Sequence, residues 1–104
     1  MFIARWQIDA KFGQKQTVIE LCRKWEQEVG RQAGTGEMGF QVLTGSIGAR
    51  EATVEINHQV ESLAKLEAFY EKISKIDAHR QWGTDLEPHI VSGSAYWQIF
   101  RLVE

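Results

Sequence analysis

The chain has 104 residues, of which 43% are apolar and 25% charged, and its net charge is −2. This is enough material for one hydrophobic core, so we expect a single domain over residues 1–104. Without an excess of basic residues nucleic acid is not an expected partner, and no apolar run is long enough to predict a membrane span. The one cysteine, Cys22, excludes an internal disulfide. With no leader-like segment either, we expect a cytoplasmic protein.

The first half of the chain predicts a strand, a helix and a hairpin. Between Phe2 and Asp9 apolar and more polar side chains alternate, which is the period of a β-strand with two different faces. From Val18 to Val29 apolar residues return every three or four positions, as in an amphipathic helix, and the glycines that follow predict an end near Gly30. Two further alternating runs, residues 40–44 and 52–58, flank a glycine-containing segment and predict a β-hairpin.

The second half predicts a helix in two parts and a closing strand. Apolar residues recur at helical intervals from Val60 to Ile76. Ser74 with Asp77 three positions later resembles a capping box, which predicts that the helix breaks there and restarts. Pro88 ends the second part, because proline cannot continue a helix. An alternating run from Tyr96 to Leu102 then predicts the last strand.

The predicted order of elements, βαββαβ, is typical of a ferredoxin-like α+β fold. Right-handed crossovers place both helices on one face of a four-stranded antiparallel sheet, with the strand order 4-1-3-2. The other face has no helix to cover it, yet either row of strand side chains brings large apolar groups to it. We therefore expect a second copy of the chain to cover this face in a homodimer.

Four features of the chain occur together: the order of elements, a length near 100 residues, a second helix that breaks between Ser74 and Asp77, and a closing aromatic strand at residues 96–100. In these features the chain resembles the dimeric α+β barrel superfamily, which includes antibiotic-biosynthesis monooxygenase-like, heme-degrading monooxygenase-like and NIPSNAP-like domains. The resemblance implies that two sheets pack face to face across a twofold axis. It also implies a substrate pocket that lies between the sheet and the helices or inside the barrel.

Three classes of function are compatible with this resemblance. The first is a protein that binds a small organic molecule in a pocket on the sheet face, including a cofactor-independent monooxygenase-like or isomerase-like enzyme. The second is a non-catalytic binding or structural homodimer. The third is a heme-binding or heme-degrading protein.

Polar residues on neighbouring strands form the first candidate site. Arg5 and Gln7 share one face of the first strand, and Glu55 and Asn57 share one face of the third. The ferredoxin-like topology makes these strands antiparallel neighbours, so we expect an ion pair between Arg5 and Glu55. The last strand adds two residues that can join this face: Tyr96 and Gln98. One interpretation is a ligand-binding site with Glu55 as a base, and the other, which we favour, is a structural network inside the dimer interface.

The three histidines lie on different predicted elements without the spacing of a metal site, so we expect no metal ion. His79 lies near the position at which the heme-degrading members of the superfamily carry a heme-ligating histidine. Those proteins also use an asparagine on the first strand and a tryptophan in the second helix, where this chain has Gln7 and either Phe69 or Tyr70. We therefore predict no cofactor. A partly exposed helix residue is the simpler interpretation of His79, and a catalytic group is the alternative.

The bend between the second helix and the last strand is another candidate site. Trp82, Glu87 and His89 are close in sequence there, which suits the rim of a pocket, with Glu87 and His89 as acid–base groups and Trp82 as a ligand contact. A solvated turn is the favoured alternative. The chain has four tryptophans, which would also suit an aromatic pocket, but we interpret them as core and dimer contacts.

Overall fold

The computed structural model describes all 104 residues and contains one four-stranded antiparallel sheet. Its strands are β1 (Phe2–Asp9), β2 (Gln41–Thr44), β3 (Thr53–Val60) and β4 (Tyr96–Arg101). Their order across the sheet is β2-β3-β1-β4. This confirms the ferredoxin-like prediction, including the position of the first strand between the third and the fourth.

The helices all cover one face of this sheet. They are α1 (Lys15–Trp25), α2 (Leu63–Ser74) and α3 (Asp77–Leu86). Alternation places every second side chain of β1 and β3 under them, so Ile8 and Val54 are buried in one core cluster and Ala4 and Val60 in another. The other face carries no helix, as predicted. None of the helices is long and apolar enough to cross a membrane.

The first helix does not end near Gly30, and this part of the prediction is wrong. α1 continues through a π-helical turn (Glu26–Gly30) and one more turn (Arg31–Ala33). The chain leaves the helix at Gly34, whose φ of 104° is left-handed and favours glycine. Gly30 is needed for another reason, because a β-carbon there would lie 2.7 Å from the hydroxyl oxygen of buried Thr35.

The second helical segment breaks where the sequence predicts, but not through the predicted capping box. α2 ends at Ser74, α3 begins at Asp77, and Ile76 between them is extended. The Ser74 hydroxyl donates a hydrogen bond to the carbonyl oxygen of Glu71 within α2 and does not cap α3. The side chain of Ile76 packs against the core cluster around Trp25.

Candidate functional site

A hydrogen-bonded polar network lies in the middle of the open face of the sheet. The Arg5 guanidinium donates to both carboxylate oxygens of Glu55, at 2.8 and 3.1 Å, and the Asn57 amide donates at 3.1 Å. The Gln7 amide also donates to Glu55, and the Tyr96 hydroxyl donates to Gln7 Oε1. The predicted ion pair between Arg5 and Glu55 is confirmed, and this network joins it to three more of the predicted site residues.

This network holds the Glu55 carboxyl in its charged form. Glu55 is only 7% exposed, and burial alone would raise the pKa of its carboxyl, but hydrogen bonds from Arg5, Asn57 and Gln7 lower that pKa below its ordinary value. The hydrogen bond to Glu55 likewise raises the pKa of the Arg5 guanidinium. A carboxylate stabilised in this way is a weak general base, so the geometry favours the structural interpretation of Glu55.

Apolar side chains border the polar network on the same face. The strand register places Phe100 and Gln98 of β4 beside β1, and the Phe100 ring lies 5.0 Å from the Arg5 guanidinium in a cation–π contact. Leu43 of β2 pairs with Glu55 on the other side. Leu43 and Phe100 are both nearly half exposed. The open face therefore carries an ion pair at its centre, and exposed apolar groups surround this pair.

A cavity of about 380 Å³, called the aromatic cavity below, lies on the opposite, helix-covered face of the sheet. All four tryptophans of the chain line it: Trp6, Trp25, Trp82 and Trp97. The ring centroid of Trp82 lies 5.8 Å from that of Trp6 and 6.0 Å from that of Trp25. The other lining residues are Ile56, His58, Phe69, Tyr70, Ile73, Ser74 and His79. Trp25 is buried and Trp6 and Trp82 pack against the core clusters, whereas Trp97 is 47% exposed. Packing in the core is therefore confirmed for three of the four tryptophans, and all four also line a cavity.

His58 is a fully buried polar residue among these rings. It is 2% exposed, its ring lies 5.0 Å from the Phe69 ring, and neither of its ring nitrogens has a hydrogen-bond partner. Burial lowers the pKa of His58 from 6.5 to about 4, so its ring is neutral near pH 7. A neutral imidazole offers one donor and one acceptor, and at His58 both are buried without a partner in the protein.

His79 lines the same cavity from α3. Its Nδ1 accepts a hydrogen bond of 2.9 Å from the Trp25 indole, and its ring stacks on Trp82 at 6.1 Å. Trp82 itself donates its indole N–H to the carbonyl oxygen of Leu21. Partial burial lowers the pKa of His79. Two of the predicted site residues, His79 and Trp82, therefore lie together at this cavity and on the opposite side of the sheet from Glu55.

The remaining candidates, Glu87 and His89, lie neither in the polar network of the open face nor in the cavity lined by the tryptophans. Glu87 borders a second cavity of about 530 Å³, whose seven lining residues include a single hydrophobic one. His89 is not among those residues, and its Nδ1 lies 2.8 Å from the amide oxygen of Gln14 at the start of α1. The structure therefore gives His89 a partner in the protein and does not place it in the lining of the cavity that Glu87 borders.

His58 is not among the site residues predicted above, although the sequence carries a signal for it. His58 lies in the apolar row of β3 between Ile56 and Val60, at a position that alternation turns towards the core. A polar side chain in such a row needs a partner. What the sequence does not contain is the convergence of four tryptophans from β1, α1, α3 and β4 on the cavity that His58 also lines.

The donor set does not fit a metal or heme iron. No group of three or more His, Cys, Asp or Glu side chains is arranged to hold a metal ion. A metal-bound histidine normally donates its second ring N–H to a neighbour, whereas Nδ1 of His79 accepts a hydrogen bond from Trp25. In the neutral ring the proton is then on Nε2, the atom that would have to bind the iron. The ring of His79 is therefore not arranged to bind a heme iron.

Comparisons with known proteins identify the fold. No family model and no curated protein matches the chain. An uncharacterised NIPSNAP domain protein from Burkholderia xenovorans is 10% identical, with a TM-score of 0.76, over 99% of this chain and 95% of that chain. A NIPSNAP family protein from Agrobacterium tumefaciens is 15% identical, with a TM-score of 0.75, over 99% of this chain and 93% of that chain. An antibiotic biosynthesis monooxygenase is 10% identical, with a TM-score of 0.68, over the whole of both chains.

At these identities the likeness shows the fold alone. The chain has the ferredoxin-like α+β fold that the NIPSNAP and antibiotic biosynthesis monooxygenase structures share, as the resemblance predicts.

Replacing Glu55 with Gln tests the structural interpretation of the open-face network. The change keeps the shape of the side chain but leaves the Arg5 charge unpaired, and Arg5 is only 30% exposed. We expect the free energy of unfolding at pH 7 to fall by about 1 to 3 kcal/mol. Arg5→Met and the double variant complete a double-mutant cycle in chemical denaturation, and the two changes should be strongly non-additive.

The contribution of the ion pair between Arg5 and Glu55 to stability also depends on pH. The pKa of Glu55 is lowered on folding, so its contribution to stability is present above the unfolded pKa of about 4.3 and is lost as the pH falls through the lower folded value. Additive changes at pH 7 would contradict the structural interpretation. So would a stable Glu55→Gln variant that loses ligand binding, which would make Glu55 a ligand-binding or catalytic group.

Proposed function

We propose that this protein binds a small, neutral, mainly apolar organic molecule in the aromatic cavity, and that it does so as a homodimer. The observation that carries the proposal is His58. A buried polar group without a partner costs about 1 to 3 kcal/mol, and such groups are rare in folded proteins. Here the residue that carries the two unpartnered ring nitrogens lines a cavity that is large enough for a ligand.

The lining of the cavity supports a neutral ligand. None of the eleven lining residues is an Asp, Glu, Lys or Arg, and eight are hydrophobic. A charged ligand would therefore lose its hydration without gaining a counter-charge. A planar ring system can instead contact the faces and edges of the tryptophan rings, and one polar group on it can bond to His79.

A cofactor-independent monooxygenase is a second candidate function for the same cavity. One of the structures with this fold is an antibiotic biosynthesis monooxygenase. In such a reaction a ligand CH₂ group becomes C=O: one atom of O₂ forms the carbonyl, and the other leaves as water with the two hydrogens. The mainly hydrophobic lining of the cavity supports this candidate, because it suits the apolar ligand that such a reaction would oxidise. Uptake of O₂ by the complex would distinguish this reaction from binding alone.

The proposed homodimer forms through the open face of the sheet. Three large side chains there are each between 44% and 49% exposed: Leu43, Tyr96 and Phe100. The charged centre of the face is already neutralised within the chain by the pair of Arg5 and Glu55. A second copy would therefore cover the apolar groups without burying an unpaired charge, which is the arrangement that a stable interface needs.

Binding of 2-ethylnaphthalene tests the cavity, because each of the four tryptophans that line it reports a bound ring through its fluorescence. We expect saturable quenching with one ligand per chain. Ser74 lines the cavity and is exposed, so Ser74→Phe should obstruct the entrance and weaken binding at least about tenfold. Lys75→Phe adds the same ring at the next exposed position, which is not in the lining, and should leave the affinity unchanged.

The proposal fails if the wild-type protein shows no saturable quenching. It also fails if Ser74→Phe and Lys75→Phe bind the probe equally well, because the probe would then be elsewhere.

Phe100→Glu tests the homodimer. The substitution places a charge in the middle of the apolar border of the open face, where a second copy would have to bury it. We expect wild-type protein at micromolar concentration to sediment at twice the 11.9 kDa chain mass and Phe100→Glu at the single mass. Phe12 is fully exposed outside the sheet, so Phe12→Glu is the matched control and should remain dimeric. A monomeric wild-type protein, or a dimeric Phe100→Glu variant, would exclude this interface.

A further inference from the structure

Trp25 and Trp82 both contact the His79 ring, but in different ways. Trp25 is 7% exposed, and its indole N–H donates to Nδ1 of His79 at 2.9 Å. Trp82 stacks on the same ring with an interplanar angle of 22°, while its own N–H donates to the carbonyl oxygen of Leu21. Of these two rings, only Trp25 therefore makes a hydrogen bond with the imidazole.

The direction of this hydrogen bond determines the form of His79. The indole nitrogen is a donor and never an acceptor, so Nδ1 of His79 must present its lone pair. A neutral imidazole carries one proton, and that proton must then be on Nε2. The protein provides no hydrogen-bond partner for Nε2, and His79 lines the aromatic cavity. A residue that lines the cavity thus carries one N–H donor of fixed type.

We propose that Trp25 is a positioning residue that holds His79 as an Nε2–H donor, and that the cavity consequently selects ligands with an acceptor oxygen, such as an aryl ketone or a quinone. The selection of ligands rests on the proposed binding function, whereas the tautomer of His79 does not. His58 does not compete with this selection, because both of its ring nitrogens are buried.

The first test is the tautomer of His79, measured by ¹⁵N NMR of the imidazole nitrogens in the full-length protein without ligand. His79→Gln identifies the signals. We expect wild-type His79 near pH 7 to show one tautomer, with the proton on Nε2. Trp25→Phe should give the averaged signals of two exchanging tautomers. Trp82→Phe removes the other ring that contacts His79 and should keep the single Nε2–H form.

Two results of this experiment would overturn the proposal. One is a wild-type ring with its proton on Nδ1 or exchanging between the nitrogens. The other is a single Nε2–H tautomer in Trp25→Phe, which would show that Trp25 does not control the ring. Neither result depends on whether any ligand binds.

The second test compares two probes of similar shape, 2-acetylnaphthalene with a carbonyl oxygen and 2-ethylnaphthalene without one. A hydrogen bond from His79 should make the ketone bind about fivefold more tightly than the hydrocarbon. In His79→Phe the ratio of the two dissociation constants should fall to about one. Equal binding of both probes by the wild-type protein would overturn the selection while leaving the proposed function intact. Failure of both probes to bind would instead overturn the proposed function.

Discussion

A sheet with helices on only one side must satisfy two different environments with a single set of strands. Alternation meets this requirement, since each strand sends one row of side chains under the helices and the other to the open face. The register of β1 with β3 pairs Arg5 with Asn57 and Gln7 with Glu55, which brings Glu55 within reach of both Arg5 and Gln7. A slip by one residue would exchange the two rows and bury the ion pair under the helices. The register therefore determines both candidate surfaces together.

The helix-covered side differs from an ordinary close-packed core. Its large rings meet at oblique angles, 54° between Trp6 and Trp82 and 48° between Trp6 and Trp97. Rings of this size that are held obliquely leave space between them, whereas protein interiors normally have few voids larger than a water molecule. His58 borders that space with two unpartnered nitrogens. Both features lower stability, and stability is commonly given up where a protein binds a ligand.

The fold was largely predictable because it depends on local patterns. Alternation and helical periodicity identified every strand and helix, and the handedness of crossovers then determined the strand order. The errors came from tertiary contacts. Thr35 packs so closely against Gly30 that only glycine fits at this helical position, and Ile76, where the second helix breaks, packs against the core cluster around Trp25. Neither contact is visible in the sequence.

The candidate site was predictable only in part. The pairing of Arg5 with Glu55 followed from alternation and topology alone, so the open-face network was within reach of the sequence. The cavity could not be predicted from the sequence. Its tryptophan rings come from β1, α1, α3 and β4, and their contacts depend on the angles and distances between the sheet and the helices. Of the residues that line the cavity, the sequence indicates only His79 and Trp82, and it places them in different candidate sites.

The central claim is that His58 is kept for a ligand at a cost to stability, and His58→Phe tests it most directly. Phenylalanine retains a ring at this position and removes the unpartnered nitrogens. We expect chemical denaturation at pH 7 to give a free energy of unfolding about 1 to 3 kcal/mol higher than that of the wild-type protein. Ile56→Val, in the same row of β3, is the control and should be less stable than the wild-type protein.

The difference should also depend on pH. The pKa of His58 falls from 6.5 to about 4 on folding, so the wild-type protein loses stability as the pH falls through that interval, because only the unfolded chain gains the proton there. His58→Phe should lack this loss, and its advantage should therefore grow below about pH 6.5. A His58→Phe variant that is less stable than the wild-type protein at pH 7, with a difference that does not change towards pH 5, would contradict the account.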